Sequence, residues 1–474
     1  MNQTANTYCM PTQRHLVYAS YLFLLIAACL PACSPKTTTA ELPVETPAAF
    51  SESGAEALPA DWWASFGDTA LNRVMDTALT NNFNLVVAWE RLRAAKAVVK
   101  RASSSLFPDL QANIQSGVSF PQPDFVGGEN VRLGLQSRYE VDLWGRIHSL
   151  VDAERFRRRA SAADYQAAAI SLSAEVARLW YQLAEARGQL AIVEEQLETN
   201  NKILQLIRQR LGTGQVRGVD VLRQEQLIAS TREQRTYVAA NVGLLENQLS
   251  LLLGGRPQDA LPATPDSLIA PPPLPSTGIP LDLVRQRPDL QRAFYQVQAA
   301  DEELAAAISN KYPRLSLSAS TSLRANNFQE VLDSWAYSLA GNIVAPLFNA
   351  GELRAEVNRN EAVRQQRLYE YGQATLIAFR EVEDALIQEQ NQAQAIAALE
   401  DQARLAGQAY EQLRVQYFNG TSNYLDVLTA LNQLQQLRRD LLSARYLLLD
   451  YRIALCRALA STPDATPKDP NRTQ

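Results

Sequence analysis

Side chains able to do chemistry are scarce in this chain and widely scattered. Of its two histidines, His15 falls in an N-terminal apolar segment and His148 stands alone. A site needing two imidazoles, for metal ligation or a proton relay, is therefore excluded from the rest of the chain, and no Ser-His-Asp set can be argued from His148. The one phosphate-loop-like string is Gly212-Thr213-Gly214-Gln215-Val216-Arg217-Gly218. Its glycine spacing is wrong for a phosphate cradle, and it falls between helical patterns instead of after a strand. Carboxylates are plentiful, but at three- and four-residue spacing to arginines they read as solvated pairs on helices. No catalytic residue, metal site or cofactor is expected. The charge balance, Lys+Arg 45 against Asp+Glu 50 and a net −5, leaves no concentrated basic surface for nucleic acid.

The cysteines point to export. After Arg14 and His15 comes an apolar run, 16–28, with the length of a secretory h-region and too short to span a bilayer. It ends in Ile26-Ala27-Ala28-Cys29 and Leu30-Pro31-Ala32-Cys33, each resembling the bacterial lipobox that precedes a lipidated N-terminal Cys. Cys33 fits better, with Leu30 three residues before it and Ser34-Pro35 opening a polar tether; Cys29 is the alternative, and a cleaved signal with an incidental Cys is the blander one. The expectation is a lipoprotein signal peptide over 1–32, N-palmitoyl and S-diacylglycerol groups on the first mature Cys, and an extended tether over 33–60. Cys456, among apolar helical positions, reads as a buried small side chain, so no intrachain disulfide framework is expected.

The elements that position these residues come from a duplication of about 205 residues, the feature that organises the whole chain. Leu106-Phe107-Pro108-Asp109-Leu110 matches Lys311-Tyr312-Pro313-Arg314-Leu315. Further on, Leu211-Gly212-Thr213-Gly214 through Val219-Asp220-Val221-Leu222 matches Tyr417-Phe418-Asn419-Gly420 through Leu425-Asp426-Val427-Leu428. The first copy spans 61–253 and the second 281–460, separated by a Pro- and Gly-dense linker over 254–280 that cannot hold a helix. A disordered tail is expected over 461–474.

Each copy reads as long helix, two strands, long helix, turn, long helix. Period-2 alternation places strands at about 110–120, 131–143, 314–324 and 335–345, with Leu133, Leu135, Tyr139 and Val141 on one face and Arg132, Gln136, Arg138 and Glu140 on the other. Strands of this length, apolar on one side and polar on the other, suit a transmembrane β-barrel; two hairpins of a soluble sandwich are the alternative. Four strands are too few to close a barrel, which demands an oligomer. The alternation also reconciles a membrane role with a mildly polar mean hydropathy of −0.21. From about Val151 to Arg210 no Pro occurs and Gly188 is the sole Gly, so a helix of about 60 residues and about 90 Å is expected. Its apolar residues recur at three- to four-residue spacing, as packed helices require. Its partner is Val221–Leu253, reversed after Gly214, and the second copy repeats the arrangement over Val363–Gln416 and Val427–Ala460.

These features resemble the outer-membrane efflux channel family, and within it the lipoprotein branch serving resistance-nodulation-division drug pumps. The resemblance covers nearly all of the mature chain. It rests on Trp62-Trp63 with Phe66 and Leu71, Tyr139-Glu140-Val141-Asp142-Leu143-Trp144-Gly145-Arg146, Arg287-Pro288-Asp289-Leu290, Pro346-Leu347-Phe348 with Gly351, and Glu381-Val382-Glu383-Asp384-Ala385-Leu386. It implies a mixed α/β membrane protein: a homotrimer with a 12-stranded barrel in outer-membrane lipid and a long α-helical barrel crossing the periplasm. It also implies a passive exit duct of a tripartite efflux pump, with a periplasmic adaptor and an inner-membrane pump as partners. A type I secretion duct is the nearest rival, and a non-conducting lipoprotein scaffold the rival of another class.

By the same resemblance the two helix turns form the periplasmic gate, with Asp426 in a pore-facing ring and Asp220 and Tyr417 in a closing polar network. Helix capping alone equally explains both aspartates. Ser422 stands where some members carry a network arginine and Thr429 where some carry a second pore aspartate, so Arg217 is taken as a substitute cation from its proximity. Adaptor contacts are expected around Gly214, Val219, Val221 and Leu222 and around Gly420, Tyr424, Leu425, Val427 and Leu428.

Overall fold

A computed structural model describes residues 43–45, 47–118, 129–265, 267–325 and 335–459. The expected signal peptide, Cys29, Cys33, the tail and the last residues of the expected first strand lie outside the described residues. In chain order the elements are α1 Thr69–Asn81, α2 Phe83–Ser103, β1 Asp109–Val118, β2 Glu129–Val141, α3 Arg146–Gly212, α4 Gly218–Leu252, α5 Pro280–Gln286, α6 Pro288–Ser309, β3 Arg314–Ala325, β4 Trp335–Val344, α7 Glu352–Phe418 and α8 Tyr424–Leu459. The two longest helices, α3 and α7, have 67 residues each. They begin earlier than the apolar periodicity predicts, because the break is made by backbone geometry: Gly145 and Gly351, at φ +74° and +91°, end the incoming segment one residue before each helix starts.

The chain divides into two compact units. In the first, residues 98–155 and 298–365, the strands form one antiparallel sheet in the order β1-β2-β3-β4. Pairing follows the sequence pattern closely. Leu133 lies opposite Ile114 and Leu323, Tyr139 opposite Leu317, and Leu315 opposite Ile343, while Gln136 lies opposite Gln111 and Ser320. One face is thus apolar across all four strands and the other is polar, since a slip of one residue would invert a strand. The apolar face is open: Ile114, Leu110, Tyr337, Leu339 and Ile343 are all exposed, and Trp335 stacks on Tyr337. The residues after β2 tie the copies together. Trp144 stacks on Tyr312 at 4.9 Å and donates to the Pro313 carbonyl, and the Trp144 carbonyl accepts from Ser309. The lone His148 meets Asp142 at 2.6 Å.

The second unit, residues 43–97, 156–297 and 366–459, is helical. Its largest core joins Trp62, Trp63, Phe66, Leu71 and Met75 to Val176, Trp180, Tyr181 and Leu183 of α3, Leu245 and Leu249 of α4, and Leu449, Ile453 and Cys456 of α8. Asp68 caps α1 and accepts from Trp180 Nε1, so the cap also anchors the helix to its core. Gly188 lets α3 approach α8, since a Cβ there would sit 2.8 Å from Leu442. Residues 50–56 of the tether and 275–277 of the linker are extended but held. Gly54 N donates to the Pro275 carbonyl, Ser276 N to Glu56, and Thr277 Oγ1 to Glu52, while Phe50 packs edge-on against Phe379 of α7. The buried Arg452 pairs with Glu389 and donates to the Pro272 carbonyl. Among the described residues no helix is long and apolar enough to cross a membrane.

Candidate functional site: the two helical turns

The turns joining α3 to α4 and α7 to α8 are built alike. The last helical residues are followed by a glycine in the left-handed region, Gly214 at φ +73° and Gly420 at φ +75°. In each, the next amide reaches back to the carbonyl five residues earlier, Gln215 to Arg210 at 3.0 Å and Thr421 to Gln416 at 2.9 Å. This 6→1 bond is a Schellman ending, which satisfies carbonyls that the helix terminus leaves orphaned.

The starts of the following helices divide a capping box between them. In the first copy Asp220, third residue of α4, reaches back and accepts from the Arg217 amide at 3.3 Å. In the second copy the cap residue Asn423 accepts from the Asp426 amide at 3.1 Å. The two aspartates consequently have opposite surroundings. Asp220 is buried, 4% exposed, with Arg217 Nε at 3.8 Å and Arg223 Nη1 at 3.7 Å. Asp426 is exposed, and its carboxylate accepts from Ser422 Oγ at 3.1 Å. Thr429, also exposed, bonds back to the Leu425 carbonyl.

Between the turns lies an aromatic cluster. Tyr417 packs against Tyr424 at 5.6 Å and beside Phe418 at 5.9 Å. The Arg210 guanidinium covers the Tyr417 and Phe418 rings at 5.5 and 4.7 Å and donates to the Phe418 carbonyl. Burial pushes the Tyr417 phenol above its ordinary value; Arg210 counters this and the Asp220 charge adds to it. Among the described residues the buried Tyr417 hydroxyl and Asp220 Oδ1 have no hydrogen-bond partner. Burial likewise raises Tyr424, whose hydroxyl donates to Gln224 Oε1.

From Gln224 a buried polar chain runs on into the helices. Gln224 donates to the Asn200 carbonyl at 2.7 Å, and Asn200 Oδ1 accepts from Gln435 at 3.3 Å. The Gln435 carbonyl accepts from Gln196, whose Oε1 accepts from Arg439 at 2.7 Å. Asn200, Gln224, Gln435 and Gln196 are all buried. Here α3, α4 and α8 are joined by paired polar groups, whereas the core around Trp62 and Trp180 is apolar.

The expected site residues therefore fall into three groups. Asp220, Tyr417 and Arg217 come together, with Arg217 at the rim and largely exposed. Gly214, Val219, Leu222, Gly420, Leu425 and Asp426 lie on the exposed rim and Val221 is half-buried. Tyr424, Val427 and Leu428, expected as contact residues, instead form the apolar core of the tip with Ile207, because their spacing along α8 turns them inward. Sequence reasoning missed Arg210, Arg223, Gln224 and Asn200. Arg223 was visible as a cation three residues beyond Asp220; the others need the tertiary fold. Among the described residues no group of three or more His, Cys, Asp or Glu could hold a metal ion.

The chain belongs to the outer membrane efflux protein family, whose profile matches it twice, over residues 74–255 and 280–461. The double match coincides with the duplication. Among curated proteins it is similar to the pyoverdine export outer membrane protein OpmQ of Pseudomonas aeruginosa, at 29% identity over 84% of this chain and 85% of the relative. It is also similar to the outer membrane protein OprJ of the same organism, at 30% identity over 86% of this chain and 88% of the relative. The solved outer-membrane channel OprN superposes with a TM-score of 0.83 at 26% identity, covering 90% of this chain and 99% of that one. The fold is that of the trimeric outer-membrane channels, each chain giving a long helical part and a four-stranded β part. The protein is an efflux component of the outer membrane that extends into the periplasm.

Proposed function

We propose that this chain is the passive exit duct of a tripartite small-molecule efflux pump, closed at rest by its two helical turns and opened by a periplasmic adaptor and an inner-membrane pump. The observation that carries this reading is the four-stranded sheet. One of its faces is apolar and exposed, the other polar, and its two edges, β1 and β4, are unpaired among the described residues. Three copies would supply twelve strands around a wet lumen, with lipid on the apolar face.

In this reading Asp220, Tyr417, Arg210 and Arg217 hold the first-copy turn against the second, and Asp426 presents a carboxylate ring to the pore. The duct carries no covalent chemistry of its own. A lipid on Cys33, or on Cys29, would tether the chain. From Cys33, ten residues lead to Pro43, which packs on Gly372 of α7, a reach of at most about 35 Å. The exposed apolar rim residues Leu222 and Leu425 are the adaptor contacts we assign.

A photo-crosslinking side chain at Leu222 or Leu425, in cells carrying adaptor and pump, should give an adaptor adduct, while one at Tyr237 of α4 should give far less. Equal labelling at all three positions would contradict the tip as the docking end. Mass spectrometry of the mature N-terminus tests the anchor, and an unmodified peptide beginning beyond residue 33 would remove it.

A further inference from the structure

The polar face of the sheet carries a charge opposite in sign to that of the whole chain, which has a net −5. The strand register puts Arg132 and Arg138 of β2 and Arg314 of β3 on the same side as Gln111, Gln136 and Ser320. All three arginines are exposed. Arg314 donates to the neutral Asn310 side chain at 2.9 Å, and Arg138 lies beside the Gln136 amide, whose oxygen, turned toward it, accepts at 3.0 Å. Two carboxylates share the face. Glu140 is taken up by Arg146 at 2.8 Å, and Asp109 accepts from the Arg138 amide and from Gln111 Nε2. Among the described residues no carboxylate lies within ion-pair distance of Arg132, Arg138 or Arg314.

The three arginines are also spread along the strands. Arg138 follows Arg132 by six residues, and Arg314 lies four residues beyond Ser318, which opposes Arg138. At about 3.4 Å per residue the three levels are about 20 and 14 Å apart. The Debye length is about 10 Å at 0.1 M salt, so the potential of each level reaches partway to the next and the stripe acts along its whole length. A guanidinium does not titrate in a folded protein, so this charge is fixed.

Resting on the twelve-strand reading above, we propose that the sheet lumen of the assembled duct attracts anions, and that Arg132, Arg138 and Arg314 set this preference. Three copies repeat each level as a ring around one wet passage. A charge-lined cleft with low-dielectric walls focuses its field and raises the local concentration of counter-ions. The solutes favoured are small molecules bearing carboxylate, phosphate or sulfate groups, which a guanidinium meets with two parallel N–H donors. In open water such pairing is weak, so it concentrates the solute without trapping it. The sign is opposite to that of the Asp426 carboxylates assigned to the pore, so opening the turns should move selectivity from cations toward anions.

The test measures the lumen charge directly. A neutral fluorophore is attached at Ser320→Cys on the polar face of the full-length protein in detergent micelles, with the parent protein lacking that cysteine labelled alongside as background. Arg132→Gln, Arg138→Gln and Arg314→Gln together should lower the iodide quenching constant about twofold or more and leave that of neutral acrylamide unchanged. An effect of this size lies well within the potentials that charged clefts sustain. In 1 M salt the difference should vanish, since the Debye length is then about 3 Å. Asp109→Asn, which removes the carboxylate not taken up by an arginine, should raise iodide quenching instead, so loss of structure cannot imitate both results. Iodide constants that neither set of changes moves would overturn the inference and leave the duct standing. Failure of acrylamide to quench the wild-type label would show that the polar face is not wet, removing the twelve-strand reading and this inference with it.

The solute preference has its own readout. In the opened variant, Asp220→Ala with Tyr417→Phe, the ratio of anion to cation permeability at 0.1 M salt should fall about twofold when the three arginines become glutamine. An unchanged ratio in a conducting protein would contradict their role.

Discussion

The two helical turns have the same backbone and put the same carboxylate to different uses. Both end on a left-handed glycine with a 6→1 bond, and both carry an aspartate at the third position of the next helix. In the first copy that aspartate is buried and completes the helix cap; in the second the cap is supplied by Asn423, and the aspartate is left exposed beside Ser422. Duplication preserved the local geometry, because the Schellman ending depends only on one glycine and the backbone. The surroundings diverged, because burial is decided by what packs on the turn: for Asp220, the neighbourhood of Tyr417 and Tyr424.

That contrast makes unequal predictions for equal substitutions. Asp220→Ala should loosen the first tip by about 2 kcal/mol, read as faster amide exchange over the first turns of α4, since it removes a cap partner and leaves the Arg217 amide unanswered. If Asp426→Ala loosens the second tip as much, the division of the capping box is wrong. Gly214→Ala and Gly420→Ala should each cost about 1 kcal/mol and match one another, because both sites hold φ near +75°. A large difference between them would show that the turns are less alike than their hydrogen bonds imply.

Alkaline conditions act on the shared cluster. The Tyr417 and Tyr424 phenols are held above the ordinary tyrosine value of 10.0 by burial. The unfolded tip therefore loses these protons first as pH rises, and tip stability is retained below about 10 and falls above it. Tyr424→Phe should shallow that fall in an exchange profile from pH 9 to 11; an unchanged slope would mean that Tyr424 does not contribute. The smallest effect on stability belongs to Asp426→Ala, within about 0.5 kcal/mol, and its signature should be ionic instead. Cation preference measured from reversal potentials should fall, and an unchanged preference would remove Asp426 from the pore.

Much of this was legible in the sequence. Alternation in the strand segments fixes which face each residue takes, and four strands, too few to close a barrel, already demand an oligomer. The turns were found because glycine and a following aspartate recur at one spacing. What stayed hidden depends on long-range packing. Nothing local distinguishes Asp220 from Asp426, or shows that Tyr424, Val427 and Leu428 point inward. The chain of Gln224, Asn200 and Gln435 is likewise invisible, since polar residues on long helices ordinarily read as solvated. The sequence marks the tether and linker only as extended, yet Gly54 is required where they meet, because a Cβ there would lie 1.6 Å from the Leu274 carbonyl oxygen.

The central claim is that this protein is a duct held shut by the first-copy aspartate and the tyrosine of the second. Single-channel recording of the purified protein in planar bilayers tests it most directly. Wild-type trimers should conduct weakly, and Asp220→Ala with Tyr417→Phe should raise conductance severalfold. Conductance of the double variant equal to wild type would contradict the gate, and electrical silence in both would contradict the duct.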